Sequence, residues 1–158
     1  MSATHAAASR TLIIGYGSPI RGDDAIGPLA ADALQTQALP AGVEVLSRHV
    51  LTAELVEDII GADRVIFLDA AVDGEPGEVR VQALRPGPHA VSTMAHFLDP
   101  RELLAWCQAL YQHEPQAWLV SAAGNSFDYA NYSLTPTAGI ALTAMLAEVH
   151  TLLGACRT

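Results

Sequence analysis

The chain has 158 residues, 51% of them hydrophobic, and a net charge of −9. This length suits one domain with its own core, and the negative charge argues against nucleic acid or an anionic membrane surface as the main partner, because both require a basic surface. Cys107 and Cys156 lack the spacing of a zinc site or a disulfide framework. We therefore expect one cytoplasmic, monomeric domain over residues 11–158, a flexible tail over residues 1–10, and no segment able to span a membrane.

The first predicted unit is a strand, a glycine-rich loop and a helix. Leu12-Ile13-Ile14 is a short apolar run typical of a buried strand, and apolar residues recur at helical spacing over residues 26–34. Four residues of the loop provide backbone freedom or end regular structure: Gly15, Gly17, Pro19 and Gly22. In open α/β sheets such a loop lies at the carboxyl end of the strand, where ligands usually bind.

The chemistry of this loop indicates a cation rather than a phosphate. A dinucleotide site would require a third glycine at Ile20, and a phosphate-binding loop would require lysine after Gly22, where the chain has Asp23 and Asp24. Two adjacent carboxylates repel phosphate and attract a divalent ion. The loop therefore predicts a metal-facing site, and capping of the following helix by one aspartate is the alternative. Ser18 does not lie in the GxSxG turn of serine hydrolases, which argues against a serine mechanism.

Strand and helix signals continue to alternate along the chain. A second strand over residues 43–46 ends near His49, and a helix follows over residues 55–60. Residues 65–68 form a continuous apolar run typical of a central parallel strand, which ends at Asp69. Residues 79–83 alternate between apolar and polar, as in an antiparallel or edge strand.

The last third of the chain predicts two helices and one more strand. Asp99, Pro100 and Glu102 form a capping signal for a helix, and residues 118–120 read as a buried strand. Thr135 and Pro136 begin the final helix, whose predicted apolar face is Ile140, Met145, Val149 and Leu152. The fold class is therefore α/β, a three-layer α/β/α sandwich with a mainly parallel twisted sheet of about five strands, including one antiparallel or edge strand.

Three side chains, distant in sequence, are predicted to meet at one edge of this sheet. Asp24 follows the first strand, Asp69 ends the third, and His96 precedes a helix. Two carboxylates and an imidazole suit a borderline divalent ion such as Ni²⁺ or Zn²⁺, and three ligands leave positions open for catalysis. The alternatives are a turn role for Asp69 and a surface loop position for His96. His49 is a candidate supporting group, and Cys107 is predicted to belong to the core.

The sequence resembles one known family, the [NiFe]-hydrogenase maturation endopeptidases, over nearly its whole length after the tail. The resemblance rests on five segments: Gly15-Tyr16-Gly17-Ser18-Pro19, Gly22-Asp23-Asp24-Ala25-Ile26-Gly27, Asp69-Ala70, His96-Phe97-Leu98 and Leu134-Thr135-Pro136. The family has a twisted sheet between helical layers. Its members remove a C-terminal peptide from the precursor of the hydrogenase large subunit after nickel insertion.

This resemblance implies a nickel-dependent endopeptidase of a family classified as aspartic-type. Its partner would be the hydrogenase large-subunit precursor. The family's metal-contacting and catalytic residues correspond to Asp24, Asp69 and His96. The nickel would be supplied by the substrate, so that the protease senses the metal in the unprocessed subunit. Supporting roles would fall to five residues around the first loop: Asp23, Gly15, Gly17, Ser18 and Gly22.

The sequence also departs from the family pattern. Ser18 replaces the usual Asn, Asp24 replaces a frequent Glu, and Val50-Leu51-Thr52-Ala53 replaces a Gly-Thr-x-Gly segment. The loop at residues 124–135 matches poorly. Two other functions remain open from sequence. One is a non-catalytic nickel chaperone or sensor that uses the same three ligands. The other is a small-molecule hydrolase or nucleotide binder, and the acidic loop argues against the nucleotide.

Overall fold

The computed structural model describes residues 9–18, 22–71, 74–87, 98–124 and 135–155. Within these ranges a 3-10 turn, Gly22–Ala25, leads into the first helix. The strands and helices, in chain order, are β1 (Thr11–Tyr16), α1 (Ile26–Gln35), β2 (Val43–Arg48), α2 (Leu55–Ile59), β3 (Arg64–Ala71), β4 (Val79–Leu84), α3 (Pro100–Tyr111), β5 (Gln116–Ala123) and α4 (Pro136–Ala155).

The five strands form one sheet in the order β2-β1-β3-β5-β4. All neighbouring strands are parallel except β4, which lies at an edge and pairs antiparallel with β5. This confirms the predicted mainly parallel sheet and its antiparallel edge strand. Because β1 and β3 are adjacent, the loops that follow them lie side by side at one edge of the sheet.

Helices cover both faces of the sheet, which confirms the three-layer architecture. The α1 and α4 helices pack on the face that carries Ile13, Ile66 and Val120. The α2 and α3 helices pack on the opposite face, which carries Ile14 and Phe67. Side chains alternate between these faces along each strand, so the face of a residue near a strand end follows from the buried residues before it.

A close backbone contact joins β1 to α1. A Cβ atom on Gly15 would lie 2.2 Å from the carbonyl oxygen of Gly27, and one on Gly27 would lie 2.3 Å from the carbonyl oxygen of Tyr16. Real Cβ atoms do not approach this closely, so both positions require glycine. The contact holds the start of α1, and with it the turn that carries Asp23 and Asp24, against the end of β1.

Asp23 joins this turn to α4. The Asp23 side chain is fully buried, and its two carboxylate oxygens accept hydrogen bonds from the backbone N–H and the hydroxyl group of Thr135, both at 2.9 Å. The Thr135 hydroxyl also accepts a bond from the N–H of Ala138, as a helix N-cap does. The Asp23 carboxylate therefore fixes the start of α4 relative to the first loop.

The predicted capping of α3 is confirmed. Asp99 accepts a hydrogen bond from the N–H of Glu102, the Glu102 side chain accepts one from the N–H of Asp99, and Pro100 is the first helical residue. These reciprocal bonds satisfy two backbone donors that the helix itself leaves without partners.

The apolar face predicted for α4 was correct in part. Met145 and Val149 are buried against the sheet, and Leu152 packs at the edge of this core. Ile140, however, is 69% exposed. The reason is helical geometry: Ile140 lies five residues before Met145, which separates the two by roughly 140° around the helix axis.

The expectation that no segment could span a membrane was wrong, because α4 is long and apolar enough to do so by length and composition. Residues 136–154 of α4 have a mean hydropathy of 1.3, and 28% of the window is buried. One such helix is weak evidence for a membrane segment, because core helices of globular proteins pass the same test. One side of α4 belongs to the core, where Ala138, Ala141 and Met145 contact the sheet layer.

Gly15→Ala is expected to destabilise the fold by at least about 3 kcal/mol, because the new methyl group meets backbone atoms that cannot rotate away. The measurement is chemical denaturation of the purified variant. Gly139→Ala in α4 is the matched control, since its Cβ would meet nothing within 4 Å. The control should leave the free energy of unfolding unchanged or raise it by up to about 1 kcal/mol. Equal stability of Gly15→Ala and the wild type would contradict the contact.

Candidate active site

A cleft of about 470 Å³ opens at the carboxyl ends of β1, β2 and β3. It contains both aspartates predicted to meet there, Asp24 and Asp69. The residues that line it are Tyr16, Gly17, Ser18, Asp24, His49, Val50, Leu51, Asp69 and Leu98. The cleft thus combines acidic groups with an apolar wall, which is the usual composition of a binding site.

Asp24 lies in the 3-10 turn between β1 and α1. Its Oδ2 atom accepts a 2.8 Å hydrogen bond from the backbone N–H of Ser18. Gly17 has a φ angle of +148°, and a Cβ atom there would lie 2.1 Å from the Asp24 carbonyl oxygen. The glycine therefore lets the backbone at position 17 lie directly against the turn. Because Ser18 binds Asp24 through its backbone, this contact does not depend on which side chain occupies position 18.

The alternative interpretation, that one of the two aspartates caps α1, was wrong. The N-cap residue of α1 is Ala25, and no side chain caps it. The Asp23 carboxylate binds Thr135 and the Asp24 carboxylate binds the Ser18 N–H instead. Of the two acids, only Asp24 lines the cleft.

Asp69 lies near the end of β3, one residue beyond Leu68, which pairs with Gly15. Its Oδ1 atom accepts a 2.8 Å hydrogen bond from the N–H of Ala70, and the Tyr16 hydroxyl lies within interaction distance of its carboxyl group. Burial raises the pKa of Asp69 to about 7, and the negative charge of Asp24 acts in the same direction, while the Tyr16 hydroxyl and the Ala70 N–H oppose the shift. At neutral pH Asp69 is therefore protonated in part.

Tyr16 is a residue of the cleft that sequence reasoning did not single out. Burial raises the pKa of its phenol well above the ordinary value, and the neighbouring Asp69 carboxylate raises it further by its charge and by their hydrogen bond. Tyr16 shares a sheet face with Leu12 and Ile14, and Asp69 shares the same face with Phe67. This alternation was the signal in the sequence that could have paired the two residues.

Of the two histidines considered as site residues, the structure describes His49 and not His96. His49, the candidate supporting group, is exposed and lines the cleft just after β2. His96 lies outside the described residues, so its role as a ligand stays a prediction. The described chain resumes at Leu98, which lines the cleft, two positions after His96 in the sequence.

The donor set suits a cation that brings ligands of its own. Among the described residues, no three His, Cys, Asp or Glu side chains are grouped closely enough to hold a metal ion. Asp24 and Asp69 supply two carboxylates to one cleft, and their oxygen atoms are suitable ligands for divalent ions. A cation between them would offset both their mutual repulsion and the cost of burying the charged form of Asp69. Cys107 is buried in the core as predicted, and burial raises the pKa of its thiol to about 11.

Asp69→Asn is expected to change how stability depends on pH in metal-free buffer. The folded-state pKa of about 7 lies above the ordinary value of 3.8, so the protonated acid favours the fold. This contribution is fully present below about pH 4 and is lost as the pH rises through 7. Asparagine does not titrate, so the free energy of unfolding of the variant, relative to the wild type, should rise by roughly 1 to 3 kcal/mol between about pH 4 and 8.

Urea denaturation at both pH values measures this difference. Asp32→Asn, at an exposed position of α1, is the control and should give a difference that stays within about 0.5 kcal/mol across the same range. If the difference in the free energy of unfolding between Asp69→Asn and the wild type does not change with pH, burial of the ionised acid costs little free energy.

Comparison with known proteins gives structural neighbours only. No protein-family model and no curated protein matches the chain. The hydrogenase-maturating endopeptidase HybD from E. coli has 25% sequence identity and a TM-score of 0.77, with 94% of each chain covered. The [NiFe]-hydrogenase maturation protease HycI from Thermococcus kodakarensis has 24% identity and a TM-score of 0.73, with 92% of this chain and 93% of that chain covered.

A third neighbour is the hydrogenase 2 maturation peptidase from Thaumarchaeota archaeon SCGC_AB-539-E09. It has 23% identity and a TM-score of 0.69, with 92% of this chain and 99% of that chain covered. Across nearly its whole length, this chain therefore has the fold of the [NiFe]-hydrogenase maturation proteases.

Proposed function

We propose that this protein is an endopeptidase that removes the C-terminal peptide of a [NiFe]-hydrogenase large-subunit precursor after nickel insertion. The observation that carries the proposal is the convergence of Asp24 and Asp69 on one cleft, in the fold of hydrogenase maturation proteases. The precursor is the partner, and the nickel arrives as part of it. We also propose that the protein acts as a monomer in the cytoplasm.

The partial protonation of Asp69 supports recognition of a metal carried by the substrate. In the free protein, burial and the nearby Asp24 charge disfavour the ionised form of Asp69. A free ion would have to displace that proton, and among the described residues no three His, Cys, Asp or Glu side chains are grouped closely enough to hold it. Nickel in a precursor already has ligands, so Asp24 and Asp69, together with His96, need only complete its coordination.

Ligation of the nickel would position the scissile bond in the cleft. Besides the two acids, three apolar side chains line the cleft and form its apolar wall: Val50, Leu51 and Leu98. A segment of peptide can rest on this wall while its metal-proximal end meets the carboxylates. The ion can polarise a peptide carbonyl or activate a water molecule, and either mode makes cleavage conditional on nickel.

Incubation with nickel-loaded and nickel-free precursor, followed by mass measurement, tests the proposal. We expect the loss of a C-terminal peptide from the loaded precursor only. Asp24→Asn, Asp69→Asn and His96→Ala should each lower the rate at least about 100-fold, because each removes a group at the reacting centre. Retained cleavage in one of these variants would remove that residue from the site.

Two exposed residues remote from the cleft provide matched controls. Asp32→Asn lies on α1 and His150→Ala lies on α4, and both should cleave at the wild-type rate. Equal cleavage of loaded and nickel-free precursor would contradict nickel sensing. Tight binding of nickel by the isolated protein, with the precursor left intact, would instead favour a nickel chaperone or sensor.

A further inference from the structure

We infer that Tyr16 is a positioning residue of this site, whose hydroxyl group holds the Asp69 carboxylate in the orientation needed to meet the substrate. The inference rests on the proposed function and extends it to a side chain outside the predicted ligand set. Tyr16 would act through Asp69 and would not contact the reacting atoms.

The sheet places the two side chains together. Gly15 of β1 pairs with Leu68 of β3, so Tyr16 and Asp69 are the next residues along these adjacent parallel strands. Both side chains belong to the face that packs against α2 and α3. Both residues line the cleft, where the Tyr16 hydroxyl and the Asp69 carboxyl group lie within interaction distance of each other.

Two donors are available to the Asp69 carboxylate. The N–H of Ala70 binds Oδ1 at 2.8 Å, and the neighbouring Tyr16 hydroxyl is placed to provide a second hydrogen bond. A carboxylate held by one donor can still rotate about its Cβ–Cγ bond, whereas two donors from different strands restrict that rotation. The hydroxyl group also compensates for water that the buried carboxylate has lost.

The Tyr16 hydroxyl group is attached to a ring whose position is fixed by packing. Its ring packs at the edge of the core formed by Ile14, Leu51 and Leu103, and its backbone belongs to β1. The hydroxyl group is therefore fixed relative to the sheet rather than carried by a mobile loop. Packing alone would make Tyr16 a structural residue, and removal of the hydroxyl while the ring remains distinguishes the two roles.

Tyr16→Phe tests the inference with nickel-loaded precursor as the substrate. We expect kcat to fall about 10- to 100-fold, as for other groups that orient a metal ligand, while KM changes by less than about threefold. The melting temperature and circular dichroism of the variant show whether the fold is kept, and both proteins are assayed at a temperature where each is folded. Tyr111→Phe, at an exposed position at the end of α3, is the matched control and should retain both constants.

The outcomes separate this inference from the proposed function. Wild-type cleavage with an unchanged kcat in Tyr16→Phe would overturn the positioning role alone. A rise in KM with an unchanged kcat would also overturn it, because it would assign Tyr16 to substrate binding. No cleavage by the wild-type protein would overturn the proposed function and the positioning role together.

Discussion

The contact between Gly15 of β1 and Gly27 of α1 determines where the candidate site can form. With no Cβ atoms in the way, the backbone at the start of the helix lies directly against the end of the strand. The tight approach of Gly17 to Asp24 completes this arrangement. The acidic turn therefore lies beside the end of β3, where Asp69 is found, and Asp23 anchors the other side of the turn to α4.

This geometry has an electrostatic consequence. Asp69 is held near Asp24 and partly away from water, which makes its ionised form costly in the free protein. The same arrangement favours a cation once one is delivered with ligands of its own. Under the proposed function, the acid pair is thus suited to sense a metal in a substrate rather than to store one. The N–H of Ala70 holds the Asp69 carboxylate in the free protein, and the inferred role of Tyr16 is to restrict it further.

The sequence predicted the layers of the fold well because its patterns are local. A continuous apolar run identified β3, period-two alternation identified β4 as an edge strand, and the capping signal at Asp99 identified the start of α3. These patterns depend on a few neighbouring residues and on burial. The exposure of Ile140 was missed because α4 is apolar around much of its circumference, so composition alone did not identify its buried side.

The site was predictable only in part, because its contacts join distant segments. The topology rule for parallel strands was enough to bring Asp24 and Asp69 to one edge. It could not reveal that Asp23 binds Thr135, since 112 residues separate the two in the sequence. Nor did it separate the roles of two adjacent aspartates, of which one belongs to the structure and the other to the cleft. Tyr16 was missed because its proximity to Asp69 depends on the register between β1 and β3.

The central claim is that Asp24 and Asp69 bind the nickel of the precursor. X-ray absorption at the nickel edge measures this directly, on the loaded precursor alone and after mixing with the protein in a trapped complex. We expect additional oxygen or nitrogen ligands on the nickel with the wild-type protein and none with the double variant Asp24→Asn and Asp69→Asn. An unchanged nickel environment in a complex that proceeds to cleavage would contradict the account.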